Sequence, residues 1–198
     1  MSGDGTRMGA SSMAKIQIKN DELVFDGKFI RLIRRHFRGT RGRDGIWELV
    51  ERKTHGHSVA VAAVTSRGEV ILEKMFRVPS KTYVLELPAG IADRRGENKL
   101  ALARRELLEE TGYTAEHFEK LAGGFIDPGL VIGEMVVYLA RNARRVRTPE
   151  HENGEDIQVL KVSTKKLARF LSYPPKGIKV DIKLFGLLYH LKRKGFDV

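Results

Sequence analysis

Apolar and polar residues alternate along the first third of the chain and then fall at helical spacing in its middle. "ELVFDGKFIRLIRRHF" (22–37) alternates on either side of Asp26-Gly27, a pair that favours tight turns, and so predicts a hairpin. "GIWELVER" (45–52) predicts a further strand. "SVAVAAVT" (58–65) is apolar without a break, as a buried strand would be. "EVILEKMFR" (69–77) follows the turn signal Arg67-Gly68, and "YVLELPAG" (83–90) is a short strand interrupted by Pro88. From Asn98 to Thr111 the period changes. Leu100, Ala103 and Leu107 would form the core stripe of a helix that Gly112 terminates. Two more strands are predicted, "EMVVYLAR" (134–141) and "IQVLKV" (157–162), separated by the polar stretch "NARRVRTPEHENGED". The chain then predicts two helices, one from Thr164 over "KKLARFL" and one from about Asp181 to Lys194. There is no internal repeat and no linker. The pattern is that of a mixed α/β fold: a strand-rich body, a central helix and a helical C-terminus.

The 198 residues, 41% of them hydrophobic, suit one domain of ordinary size, or one domain with a small extension. No cysteine is present, which removes disulfides, thiolate metal sites and cysteine nucleophiles and fits a reducing cytoplasm. No apolar run reaches the roughly 20 residues needed to span a bilayer. "MSGDGTRMGASSM" lacks the apolar middle of a signal peptide and reads as a Gly/Ser-rich tail over 1–13, native or left by expression. The net charge of +11 attracts polyanions, either nucleic acid or phosphorylated metabolites. The basic residues are scattered, however, with short clusters at 31–43, 141–147 and 192–194. No RNA-recognition signature or zinc-finger spacing accompanies them.

Against that basic balance, "RRELLEETGY" (104–113) crowds Glu106, Glu109 and Glu110 into one helical turn. Like charges at this spacing destabilise a helix. At about 100° per residue they lie on a face adjoining the apolar stripe, near the protein body. A solvated acidic face salted by Arg104 and Arg105 is the bland explanation. A divalent cation is the sharper one, because Mg²⁺ is held by a few carboxylates, waters and substrate phosphates. The upstream "LPAGIADRRGE" (87–97) is a strand–turn unit that brings one further acid, Glu97, to the start of the helix.

Gly90, Glu97, Arg105, Glu106, Leu107, Glu109, Glu110, Gly112 and Tyr113 resemble the Nudix box, G-x5-E-x7-R-E-U-x-E-E-x-G-U, with one additional residue between Gly90 and Glu97. The resemblance implies an α/β/α sandwich around a mixed sheet, with residues 51–198 as the hydrolase domain and 14–50 as an N-terminal strand region. It implies hydrolysis of a nucleoside diphosphate linked to another moiety, with Mg²⁺ or Mn²⁺. By position, Glu106 and Glu110 would be the main metal ligands and Glu109 a further ligand or water-orienting acid. Glu97 would support the site, Arg105 would orient the glutamates, and the Ala89 carbonyl would be an additional ligand.

"IWELVERK" (46–53), "MFRVPSKTYVLELPAG" (75–90) and "GGFIDPGL" (123–130) resemble the ADP-ribose pyrophosphatases within that family. The resemblance implies that Trp47 stacks on adenine, that Glu48 and Arg52 line the site, and that Arg77 contacts the diphosphate. Pro128 stands about where that group carries its proline, followed by Gly129. Trp47 and Arg52 are five residues apart and so project to opposite faces of a regular strand. For a general base the candidates are Glu152 and Glu155 in "EHENGEDIQV", and "GEDIQV" favours Glu155. Such enzymes are commonly homodimers, to which residues 16–50 would contribute. The expectation is hydrolysis of ADP-ribose to AMP and ribose 5-phosphate. The alternatives are another nucleoside diphosphate sugar or, from a different class, a nucleic-acid-binding module on the same scaffold. The complete set of box acids argues against the binding module. "LPAG" and Pro128 argue against oxidised nucleoside triphosphates.

Overall fold

The structure, a computed structural model, describes residues 15–54, 57–151 and 154–198. The tail expected over 1–13 lies outside the described residues. In chain order the elements are β1 (Gln17–Asp26), β2 (Ile30–Arg38), β3 (Asp44–Arg52), β4 (Ser58–Thr65), β5 (Glu69–Arg77), β6 (Thr82–Glu86), β7 (Ala89–Ile91), α1 (Lys99–Thr111), β8 (Tyr113–Thr114), β9 (His117–Phe125), β10 (Val131–Ile132), β11 (Glu134–Arg145), β12 (Ile157–Ser163), α2 (Thr164–Ser172), β13 (Ile178–Val180) and α3 (Lys183–Arg193). The chain forms two compact units. One contains the residues up to Lys53 together with 127–132; the other contains 54–126 and 133–198.

The first unit is a four-stranded sheet in the order β1-β2-β3-β10. The hairpin turns where Asp26-Gly27 predicts, with Asp26 opposite Arg31 and the Gly27 amide donating to the Ile30 carbonyl at 2.9 Å. Its apolar content is thin: Ile33 and Leu49 are buried opposite each other. The basic cluster of β2 is answered across the ladder. Arg35 pairs with Asp21 at 2.7 Å, Arg34 with Glu22 and Glu48, and Arg31 with Glu51 and Asp26. Much of the positive charge that could draw a polyanion here is neutralised by its own sheet.

The second unit is built on a mixed nine-stranded sheet in the order β13-β6-β5-β4-β11-β8, with β12 also on β5, β7 on β4 and β9 on β11. β4 and β11 run parallel; β5 and β6 are antiparallel. The unbroken apolar run of β4 has a direct cause, since both its faces are covered. Val59, Val61 and Ala63 pack with Leu102, Ala103 and Leu107 of α1. Ala60, Ala62 and Val64 pack with Leu167 and Leu171 of α2 and Leu184, Leu187 and Leu191 of α3. Helices on both faces of one sheet make this unit an α/β/α sandwich.

The central helix starts and stops as its sequence dictates. The Asn98 side chain accepts from the amides of Leu100 and Ala101 at 3.0 and 2.9 Å, satisfying two otherwise orphaned donors. Gly112 closes it with φ of 74°. A side chain there would also run into the Arg147 carbonyl, so glycine is required on two counts.

Two expectations need correcting. Leu100 is 36% exposed and Leu102 takes its place in the core, because helix side chains lean toward the N-terminus and a first-turn residue overhangs the covered end. The polar stretch after Arg141 is at first still strand. A bulge at Asn142, with φ of 54°, turns Ala143 inward and carries β11 to Arg145. Among the described residues no helix is long and apolar enough to cross a membrane.

Leu107 is fully buried where α1 meets β4, with little freedom for neighbours to collapse. Leu107→Ala is expected to cost about 3 kcal/mol of unfolding free energy, read from urea denaturation curves.

Candidate active site

Helix α1 carries its acids on the side turned toward β7, and Arg105 organises them. The Arg105 side chain is only 13% exposed and reaches four carboxylates. It pairs with Glu97 at 2.9 Å, Glu109 at 2.8 Å, Glu106 at 2.9 Å and Asp93 at 3.0 Å. The Glu97 contact is a two-pronged fork, Nε to Oε1 and Nη2 to Oε2, which fixes the plane of the guanidinium. Asp93 belongs to the turn 92–97. The Ala92 amide donates to His57 at one end of this turn, and the Glu97 amide donates to Arg94 at the other.

Glu106 and Glu110, one turn apart, both lie against the backbone of β7. Glu110 Oε2 accepts from the Ala89 amide at 2.8 Å. Glu106 lies so close over Gly90 that a Cβ there would overlap its carboxylate. The helix end that carries them is held from behind. The Glu150 amide donates to the Glu109 carbonyl at 2.8 Å, and a His151 ring nitrogen lies 2.9 Å from the Glu110 carbonyl.

These acids are buried beyond what their own partners offset. Burial pushes Glu106 up to about 7 despite the Arg105 guanidinium beside it. Burial also raises Glu110, and the charges of Glu73 and Glu106 raise it further. Glu73, on β5, is raised by burial and then by Glu86. Glu155 adds like charge to Glu73, Glu106 and Glu110, which puts it on the same cluster. Oxygen donors of this kind, short of positive charge, fit a hard divalent cation. As the side chains stand, no three acids or histidines among the described residues converge tightly enough to cage an ion.

Arg77 does not stand free: its guanidinium forks onto Glu86 at 2.6 and 2.8 Å. Glu152 lies outside the described residues. In the first unit, the Trp47 indole Nε1–H donates to the Gly129 carbonyl at 2.7 Å, bringing together two of the residues singled out in the sequence. The ring stays 52% exposed, so it is not a core aromatic. Glu48 pairs with Arg34 at 3.3 Å. Arg52 is exposed at the end of β3, whose register against β2 runs without a shift, so it projects to the face opposite Trp47. Pro128 sits between Asp127 and Gly129 in the turn that leads into β10, where the Gly129 amide donates to the Asp127 side chain.

The family model for the NUDIX domain matches residues 54–178. The chain belongs to the Nudix family. It is 34% identical over 143 residues to an ADP-ribose pyrophosphatase of Bacillus subtilis (strain 168), covering 72% of this chain and 75% of that protein. It is 34% identical over 206 residues to an ADP-sugar pyrophosphatase of Mus musculus, covering 95% and 94%. A crystal structure of an ADP compounds hydrolase superposes with a TM-score of 0.79 at 21% identity, over 96% of this chain and 100% of that one, and so shares the Nudix fold.

Sequence reasoning missed three acids of the Nudix cluster: Glu73, Glu86 and Asp93. Glu73 and Glu86 face each other across β5 and β6. A glutamate inside an apolar strand, as in "VILEKMF", was the available signal, because such a position seldom holds an unpaired acid.

A carboxyl raised above its ordinary value favours the fold when protonated. For Glu106 that contribution is complete below its usual 4.5 and is lost as pH rises through about 7. In the metal-free protein, the stability of the wild type relative to Glu106→Gln should therefore fall between pH 5 and 8 by up to about 3 kcal/mol. Chemical denaturation in chelator checks this, and added Mg²⁺ should flatten the difference.

Proposed function

We propose that this Nudix protein hydrolyses the diphosphate bond of ADP-ribose, giving AMP and ribose 5-phosphate, with Mg²⁺ (or Mn²⁺) as cofactor. The observation that carries the reading is the pair Glu106 and Glu110, buried against Ala89 and Gly90 and short of positive charge. Its relatives named for ADP-ribose and ADP-sugar cleavage support the substrate class.

Glu106 and Glu110 would hold the cation, with the Ala89 carbonyl and Glu109 as further donors. Glu97 supports the site through Arg105, whose four ion pairs set where the carboxylates stand. A bound divalent ion offsets the negative charge of the diphosphate and makes water a better nucleophile near neutral pH. Glu155, facing the same acids, is the base that takes the proton from the attacking water. One phosphorus gains the water oxygen, and the bridging oxygen departs with the other phosphate. Arg77 is the candidate contact for the diphosphate, poised by its fork on Glu86. Trp47 offers its ring for stacking on adenine while Gly129 fixes its edge, with Pro128 beside it; Glu48 and Arg52, on the opposite face of β3, are the less direct candidates for lining the site.

Residues 51–198 form the hydrolase domain in this reading, and the strand region 14–50 forms a homodimer. The apolar side chains that β1 exposes, Ile18, Leu23 and Phe25 at 55–59%, support the dimer. A cytoplasmic enzyme with a small-molecule substrate and no nucleic-acid partner is in keeping with a cysteine-free chain whose β2 arginines are paired.

A panel of nucleoside diphosphate sugars with Mg²⁺, with products separated and identified, tests the function. Preference for ADP-ribose is expected. Equal turnover of other ADP-sugars would broaden the substrate, and no Mg²⁺-stimulated cleavage would refute the reading. Glu110→Gln should lower kcat at least a hundredfold with an unchanged circular dichroism spectrum; near-normal turnover at saturating Mg²⁺ would contradict the ligand role. Trp47→Ala should raise KM for ADP-ribose more than for a diphosphate sugar with another base. Equal effects would remove the stacking role.

A further inference from the structure

Among the described residues of the second unit Glu73 is the most enclosed charged side chain, 2% exposed, and the reaction as described makes no use of it. It stands on β5 with Ile71, on the sheet face that packs against α1. Its side chain is within hydrogen-bonding reach of Glu110, so two carboxylates meet in a buried place. Its other oxygen, Oε1, has no hydrogen-bond partner among the described residues. Arg77, whose charge acts on it, is forked onto Glu86, the residue directly opposite Glu73 in the β5–β6 register.

A buried carboxylate with an orphaned oxygen costs stability unless something compensates. Replacing it with an apolar residue would remove that cost, as the apolar neighbours Ile71 and Leu72 illustrate. Its position behind Glu110 suggests a use. Its contact restrains the Glu110 carboxyl, which the Ala89 amide also holds.

We propose that Glu73 is a positioning residue of the cation centre: from β5 its side chain meets Glu110 and holds that carboxyl where a divalent ion can use it. This inference rests on the reading of Glu106 and Glu110 as cation ligands. It assigns to the centre a residue from an element outside the strand–turn–helix motif. Partners behind metal ligands typically contribute 10- to 100-fold to metal affinity, which sets the size of the expected effect.

The test is direct titration of the substrate-free, full-length protein with Mn²⁺, followed by electron paramagnetic resonance of the free ion. Glu73→Leu keeps the bulk and removes the group that meets Glu110. It should raise the Mn²⁺ Kd at least tenfold, while the melting temperature in chelator stays the same or rises. Glu73→Gln keeps a hydrogen-bonding group of the same shape and should stay within about threefold of wild type by the same reasoning. An unchanged Kd for Glu73→Leu, with the wild type binding Mn²⁺ normally, would overturn the role of Glu73 and leave Glu106 and Glu110 as ligands. Equal losses in both variants would show that the contact with Glu110 is not what Glu73 supplies and also overturn it. A wild type that binds no Mn²⁺ would overturn the cation reading and this inference with it.

Discussion

Arg105 sits at the centre of the interaction on which the site depends: one guanidinium, nearly buried, against the carboxylates of Glu97, Glu106, Glu109 and Asp93. A single positive charge cannot neutralise four negative ones, and Glu110 is held instead by the Ala89 amide and met by Glu73. The arrangement is therefore incomplete by design of its charges. It fixes where the carboxylates stand and leaves a deficit of positive charge on the side facing β7. Folding supplies the energy to keep it so, because α1 is clamped to β4 by Leu102, Ala103 and Leu107 and capped at both ends by Asn98 and Gly112. The helix cannot swing its acids out to water without giving up that packing.

The same logic links the glycines and the loop to the chemistry. Gly90 leaves room for Glu106 to lie on the backbone, and Gly112 lets the chain turn under Arg147, which brings 149–151 behind the helix end. His151 and Glu150 then meet carbonyls at the end of α1, and Glu155 adds its charge to the same acids. Local backbone requirements and the placement of charge thus have one solution between them.

Much of this was legible in the sequence. The unbroken apolar run 58–65 announced a strand covered on both faces, and the crowding of Glu106, Glu109 and Glu110 announced a charge problem that an ordinary solvated helix would not pose. What the sequence hid has physical reasons. Short strands such as β8, β10 and β13 have too few residues to show a period, and β9 carries Gly123-Gly124, which reads as loop. Leu100 fits the helical stripe but overhangs its end. Glu73 is far from the motif in sequence and meets it only through the sheet, a long-range fact that spacing cannot express; Glu86 stands just before "LPAG", but its place opposite Glu73 follows from the β5–β6 register. Likewise the hydrogen bond from Trp47 to Gly129 joins residues 82 apart in sequence.

The account comes down to whether a divalent ion occupies the charge deficit between α1 and β7. Crystals grown with Mn²⁺ and a non-hydrolysable ADP-ribose analogue, with anomalous scattering measured at the manganese edge, put that to the test most directly. The account predicts an anomalous peak bonded to Glu106 and Glu110, with the analogue's diphosphate on the same ion. Ordered analogue with no peak at those carboxylates, or a peak elsewhere, would contradict it.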